Sequence, residues 1–175
     1  ILQMCGRVAD GVILMGGASK EFTKWQIDHV RRGAEEVGRD FSEIKFDLWA
    51  AIGISNDREQ ARDDVSHWAA SQAETFSKWK ELPDFLQPFK ADLQRAAEAY
   101  NRLEHMSSHA AHKRAVSGEF IDFVALVGTA EECLARIRDL GTLGLDRIVL
   151  AFRAGGGGRL ARMEEIHHGI IKQLK

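Results

Sequence analysis

The sequence predicts an α/β protein built on parallel strands, and three observations carry that expectation. Three short runs rich in β-branched and aromatic residues, at 12–15, 44–54 and 147–152, are bounded by turn or cap residues. Segments whose apolar residues recur at helical spacing lie between them. Strand and helix therefore alternate along the chain, which is the pattern of parallel β/α units.

Residues 1–7 read as the end of a helix, because Ile1, Leu2, Met4 and Cys5 fall on one face. Asp10-Gly11 signals a turn. The continuous apolar run Val12-Ile13-Leu14-Met15 predicts a strand covered on both faces, and Gly16-Gly17 ends it. Ser19 is placed to cap a helix carrying Phe22, Trp25, Ile27, Val30, Ala34 and Val37, with Gly38 at its C-terminus. Asp40 and Ser42 turn the chain into the run 44–54, after which Ser55 or Asp57 caps a helix through Ala61, Val65 and Trp68. Residues 71–117 have helical propensity without regular spacing. Pro83 and Pro88, the only prolines, interrupt any helix there, so the stretch reads as an excursion from the alternating pattern. The short apolar stretch 120–127 leads to Gly128, and Thr129 with Glu132 forms a capping box for a helix through Cys133, Leu134, Ile137 and Leu140. Gly141 and Gly144 stop that helix. The run 147–152 is the clearest strand, and four glycines at 155–158 lead into a last helix with Leu160, Met163, Ile166 and Ile170.

Composition narrows the function. The 175 residues suffice for one domain, and 45 % apolar with 29 % charged residues is an ordinary globular balance. A net charge of -2 supplies no field to draw in nucleic acid or an anionic membrane, so neither is expected as a partner. No apolar run reaches the roughly 18 residues that would span a bilayer. No leader is visible at Ile1, and Cys5 and Cys133 lack metal or redox spacing, so free thiols in a reducing cytoplasm are expected.

Four segments then resemble a known family. Cys5-Gly6-Arg7-Val8-Ala9-Asp10-Gly11-Val12-Ile13 is similar to the A-G-R-x-A-D-G-V-I segment of the luciferase-like superfamily. Gly33-Ala34-Glu35-Glu36-Val37-Gly38-Arg39-Asp40 resembles its G-A-x-x-A-G-R-D helix end. Val127-Gly128-Thr129-Ala130-Glu131-Glu132 resembles its G-T-P-E-E helix start, and Gly144-Leu145-Asp146-Arg147-Ile148-Val149 its G-V-D-x-I-V strand. The branch most resembled is the one dependent on the deazaflavin coenzyme F420. The resemblance implies the C-terminal portion of a (β/α)8 TIM barrel: one partial-barrel domain over 1–175, with three βα units and a helical insertion at about 71–117. It also implies that the cofactor phosphate loop, the early strands that contact the ring, and the catalytic acid or base all lie upstream of Ile1. No catalytic residue is therefore assigned within the chain.

Active sites of β/α barrels lie at the C-terminal ends of the strands. Met15, Gly16, Gly17 and Ala18 are the candidate cofactor-binding residues. The glycines permit close approach of a ligand, and the following helix N-terminus offers N–H groups to an anion; a plain glycine turn is the competing reading. Arg153 and Arg159, on either side of Gly155 to Gly158, are the candidate substrate-binding residues for an anionic group, against a surface loop as the alternative. Family members that bind sugar phosphate carry a lysine in the loop after the first of these strands. This chain has Ala18 there and Lys20 two residues on, which argues against sugar phosphate. His105, His109 and His112 would share a helical face at a spacing that suits zinc, but they have no evident further ligand, so no metal is expected. Trp25 and Trp68 read as core residues, and Trp49 is placed on neither face.

The expected activity is hydride transfer between coenzyme F420, or flavin mononucleotide (FMN), and a small organic substrate. The competing expectation is a non-catalytic, truncated barrel that self-associates. Both anticipate a homo-oligomer, because a few parallel strands leave an apolar edge open for pairing.

Overall fold

The computed structural model describes residues 1–105, 107, 110–153 and 158–174. Helix α1 (Leu2–Val8) packs against α2 (Lys20–Glu36) with main chain against main chain. A Cβ on Gly6 would stand 2.0 Å from the Val30 carbonyl oxygen, and one on Gly33 would stand 1.9 Å from that of Gln3. Only glycine fits at either place. Ser19 caps α2 by accepting from the Phe22 N–H, and Gly38 follows its end at a φ of +68°.

The sheet is parallel. β1 (Gly11–Leu14) pairs with β2 (Lys45–Ile54) from Gly11 against Lys45 to Leu14 against Leu48. β4 (Arg147–Ala151) pairs with β2 from Arg147 against Asp47 to Ala151 against Ala51. Asp47 and Leu48 meet both neighbours, so β1 and β4 occupy opposite edges of β2. The sequence reading expected three strands, and the described residues form four: β3 (Leu126–Gly128) pairs with the last residues of β2, Ile52 to Ile54. The apolar stretch 120–127 is thus two elements. Ser117 caps a short helix, α5 (Gly118–Val124), and the chain then straightens into β3.

The expectation that residues 12–15 are covered on both faces is corrected. Val12 and Leu14 are buried, whereas Ile13 between them is 68 % exposed. The helix face of the sheet, with Phe46, Leu48, Ala50 and Ile52, packs against α2, α6 (Ala130–Gly141) and Ile166 of α7 (Arg159–Gly169). The other face, with Ile13, Trp49 and Val149, is largely open among the described residues.

A second core lies over one end of that open face. α3 (Arg58–Phe76), capped by Asp57, crosses the C-terminal end of β2, where a Cβ on Gly53 would meet the Ala61 carbonyl oxygen at 2.1 Å. Ala51, Val65, Trp68, Phe76, Phe120 and Val127 form this cluster together with α4 (Lys90–Ala99) and α5. The described part of 71–117 holds the end of α3, α4 and three short 3-10 turns. Pro83 precedes the first of those turns and Pro88 lies within it.

Candidate active site

Side-chain alternation along β2 and β4 aims Asp47, Trp49 and Ala51 to the open face, beside Arg147, Val149 and Ala151. The first of these rows closes with an Arg147–Asp47 ion pair at 3.3 Å. The second is the large pair Trp49 and Val149. The third, nearest the C-terminal ends, is Ala51 and Ala151. Two methyl groups leave room that larger side chains would fill, and a cavity of about 360 Å³ opens there. Trp49 and Phe152 wall it from the sheet, Asp64, His67 and Trp68 from α3, and Arg153 stands at its rim.

Asp64 does not face the cavity as a spare charge. Arg162 of α7 donates to it at 3.2 Å and also to the Ile54 carbonyl, which fastens α7 across the end of β2 to α3. His67 is 5 % exposed. Burial, reinforced by the positive charges of Arg153 and Lys113, pushes its imidazole down to about 4, so it is neutral at pH 7.

A second cavity, about 620 Å³, lies between α1, α2 and α3 and shares Gln72 with the first. Trp25 and Trp79 stack in its wall with ring centroids 5.6 Å apart. Gln26 donates from Nε2 to the Met15 carbonyl at 2.8 Å, and its Oε1 is buried without a partner. Among the described residues no lysine or arginine lines this cavity. A larger groove of about 650 Å³ runs between β4, α6 and α7; its described lining is apolar apart from Glu164 and His167.

The candidates from the sequence separate in space. Met15 and Gly16 line the aromatic cavity; Gly17 and Ala18 do not. The ring of Phe22 explains both glycines, because a Cβ would stand 2.9 Å from it at Gly16 and 2.6 Å at Gly17. Ala18 is sealed: its N–H donates to the Val124 carbonyl at 3.0 Å and its carbonyl accepts from Arg136. Arg153 lines the smaller cavity, whereas Arg159 is exposed at the start of α7. Gly155 to Gly157 and His109 lie outside the described residues. His105 follows one 3-10 turn and His112 lies in another, so the two do not share a helical face, and no group of three His, Cys, Asp or Glu able to hold a metal occurs among the described residues. Sequence reasoning missed His67, Gln26 and Arg162. Each sits on a helix with no motif around it, and only the fold brings it to the strand ends.

The model of the luciferase-like monooxygenase family matches residues 1–147. The chain is 25 % identical over 150 residues to 5,10-methylenetetrahydromethanopterin reductase of Methanolobus tindarius, which covers 85 % of this chain and 44 % of that protein. It is 33 % identical over 69 residues to F420-dependent glucose-6-phosphate dehydrogenase of Nakamurella multipartita, 39 % of this chain and 20 % of that one. The solved structure of coenzyme F420 dependent tetrahydromethanopterin reductase from Methanopyrus kandleri superposes with a TM-score of 0.71 at 18 % identity, over 99 % of this chain and 48 % of that one. The fold is that of a partial TIM barrel, and the chain spans about half the length of these reductases.

Proposed function

The chain belongs to the luciferase-like monooxygenase family, and from that premise we propose that it forms the C-terminal part of an oxidoreductase dependent on coenzyme F420 or FMN. The observation that carries the reading is the aromatic cavity with its orphaned acceptor. A deazaflavin or flavin ring is flat, apolar on its faces and carries a ring N–H. The stacked Trp25 and Trp79 suit its faces and Gln26 Oε1 suits that donor. When bound, such a cofactor supplies hydride transfer to or from a small organic substrate.

The chain's own residues orient and exclude water. Met15 and Gly16 border the ring pocket, and Arg153 attracts an anionic group of the substrate in the adjoining cavity. Arg159, further out, adds positive charge on the approach. Gly17 and Ala18 hold the turn behind Met15 rather than touching ligand. Free Cys5 and Cys133 suit a reducing cytoplasm, and no helix among the described residues is long and apolar enough to cross a membrane.

Fluorescence titration of this chain with coenzyme F420 and with FMN tests the reading. Saturable quenching weaker than micromolar is expected, because among the described residues no lysine or arginine lines the ring cavity to hold a phosphate, and Gln26→Leu should weaken it further. No quenching by either compound would overturn the ring assignment. Micromolar binding would show that the anion site lies within this chain after all.

A second reading concerns assembly. Ile13, Trp49 and Val149 expose apolar area on the open face, and burial of such side chains stabilises by about 1.5–3 kcal/mol each. Self-association of the chain follows, with or without catalysis. A 19.6 kDa species that stays monomeric in light scattering at high concentration would rule it out.

A further inference from the structure

The aromatic cavity between α1, α2 and α3 has a polarity that the cofactor reading leaves unused. Three of the polar side chains in its wall spend a donor on a main-chain carbonyl. Gln26 gives an amide N–H to the Met15 carbonyl at 2.8 Å, which fixes the amide so that Oε1 is the free end. His29 Nδ1 lies 2.8 Å from the Trp25 carbonyl. A carbonyl only accepts, so Nδ1 carries the proton, and the neutral ring keeps Nε2 as a bare lone pair. The Thr75 hydroxyl donates to the Ser71 carbonyl at 3.0 Å and retains its own lone pairs. Gln26 is 7 % exposed and its Oε1 has no partner, so one buried acceptor stands unsatisfied at the cavity.

Gln26 and His29 are three residues apart on α2, which makes them neighbours on one helix face. Among the described residues the lining holds no lysine, arginine, aspartate or glutamate. The rest of it is largely ring surface. Trp25 stacks on Trp79, and the His29 imidazole lies 4.1 Å from the Trp25 ring, centroid to centroid. Indole faces are electron-rich and attract a cation laid over them. Acceptors combined with indole faces favour a ligand that brings hydrogens and positive charge, and disfavour one that brings oxygens.

We infer that this cavity takes a flat organic cation of the amidinium or guanidinium kind, its body against the tryptophans and its N–H edge on Gln26 Oε1 and His29 Nε2. A volume of about 620 Å³ admits one such molecule. Such a cation would compete with the proposed cofactor ring for the same space; its binding rests on the polarity of the cavity and not on that reading.

Benzamidine is the probe, added to the chain without any cofactor. It is expected to quench tryptophan fluorescence saturably and to move the His29 ring resonances in imidazole ¹H–¹⁵N spectra, where the neutral ring should carry its proton on Nδ1. Benzamide, nearly isosteric and uncharged, should bind about tenfold more weakly, and benzoate, which brings only acceptors, more weakly still. Gln26→Leu and His29→Phe should each weaken benzamidine about tenfold, as loss of a hydrogen bond to a charged group does. Benzoate bound as tightly as benzamidine overturns the inference, as does a His29 resonance that benzamidine leaves in place. Undiminished affinity in both variants does so too. If the variants do not fold, the order of the three probes on the unaltered chain decides. Benzamidine binding in a chain that ignores both coenzyme F420 and FMN would sink the ring assignment and leave this site standing. A chain that binds either cofactor and ignores benzamidine would do the reverse.

Discussion

Leu48 and Trp49 are neighbours in β2, yet they live in different environments. Leu48 is wholly enclosed among α2, α6 and the flanking strands; Trp49 is 40 % exposed on the opposite side. The same contrast holds for Leu14 against Ile13. One face of the sheet carries the packing that holds the strands in register. The other carries large apolar and charged groups that the described residues cover only at the C-terminal end, through α3. The closed core and the open cavity thus lie on opposite sides of a single strand, and substitutions one residue apart should separate their costs in stability.

The largest effect is expected from that pair. Leu48→Ala should cost about 2–5 kcal/mol, as truncation in a closed core does, whereas Trp49→Ala should cost no more than about 1.5 kcal/mol. Similar denaturation midpoints for the two variants would break the comparison. Acid comes next. The His67 imidazole titrates at about 4 in the fold against 6.5 in the unfolded chain, so the unfolded state binds the extra proton first. Stability should be complete above pH 6.5 and decline as the pH falls from there to about 4, and His67→Phe should flatten that part of the melting curve. Asp64→Asn removes one charged partner of Arg162, which keeps Glu165 and the Ile54 carbonyl, and should cost about 1.5–3 kcal/mol; an unchanged melting temperature would show that the rim is not fastened there. Ser19→Ala removes the cap of α2 behind the ring cavity and should cost about 1 kcal/mol in urea unfolding.

Much of this architecture could be read from the residues. The three strand runs, the Ser19 cap and the Thr129–Glu132 capping box lie where the sequence puts them, because local propensity and tertiary packing agree there. β3 was not legible. Its three residues continue an apolar stretch whose first half is helical, and a run without alternation carries no period to divide. One-sided burial of β1 was also hidden, since Ile13 and Met15 are as apolar as Val12 and Leu14. The candidate cavities lie at the strand C-termini, where the barrel rule points, but their lining residues were not legible. Gly16 and Gly17 read as a ligand turn, and the ring of Phe22 accounts for them; His67 gave no signal because a polar residue on an amphipathic helix looks like solvent-facing surface.

The α1–α2 contact has a genetic consequence. At Gly6 and at Gly33 the opposing atom is a main-chain carbonyl oxygen, 2.0 and 1.9 Å from where a methyl carbon would stand. A clash with a side chain can be relieved by a second, shrinking substitution, but no mutation shortens a carbonyl. Loss of either glycine should therefore have no intragenic suppressor at the contact itself. Revertants should restore glycine or arise as global stabilisers elsewhere, and a suppressor screen on Gly33→Ala would recognise this helix pair by the absence of any local hit.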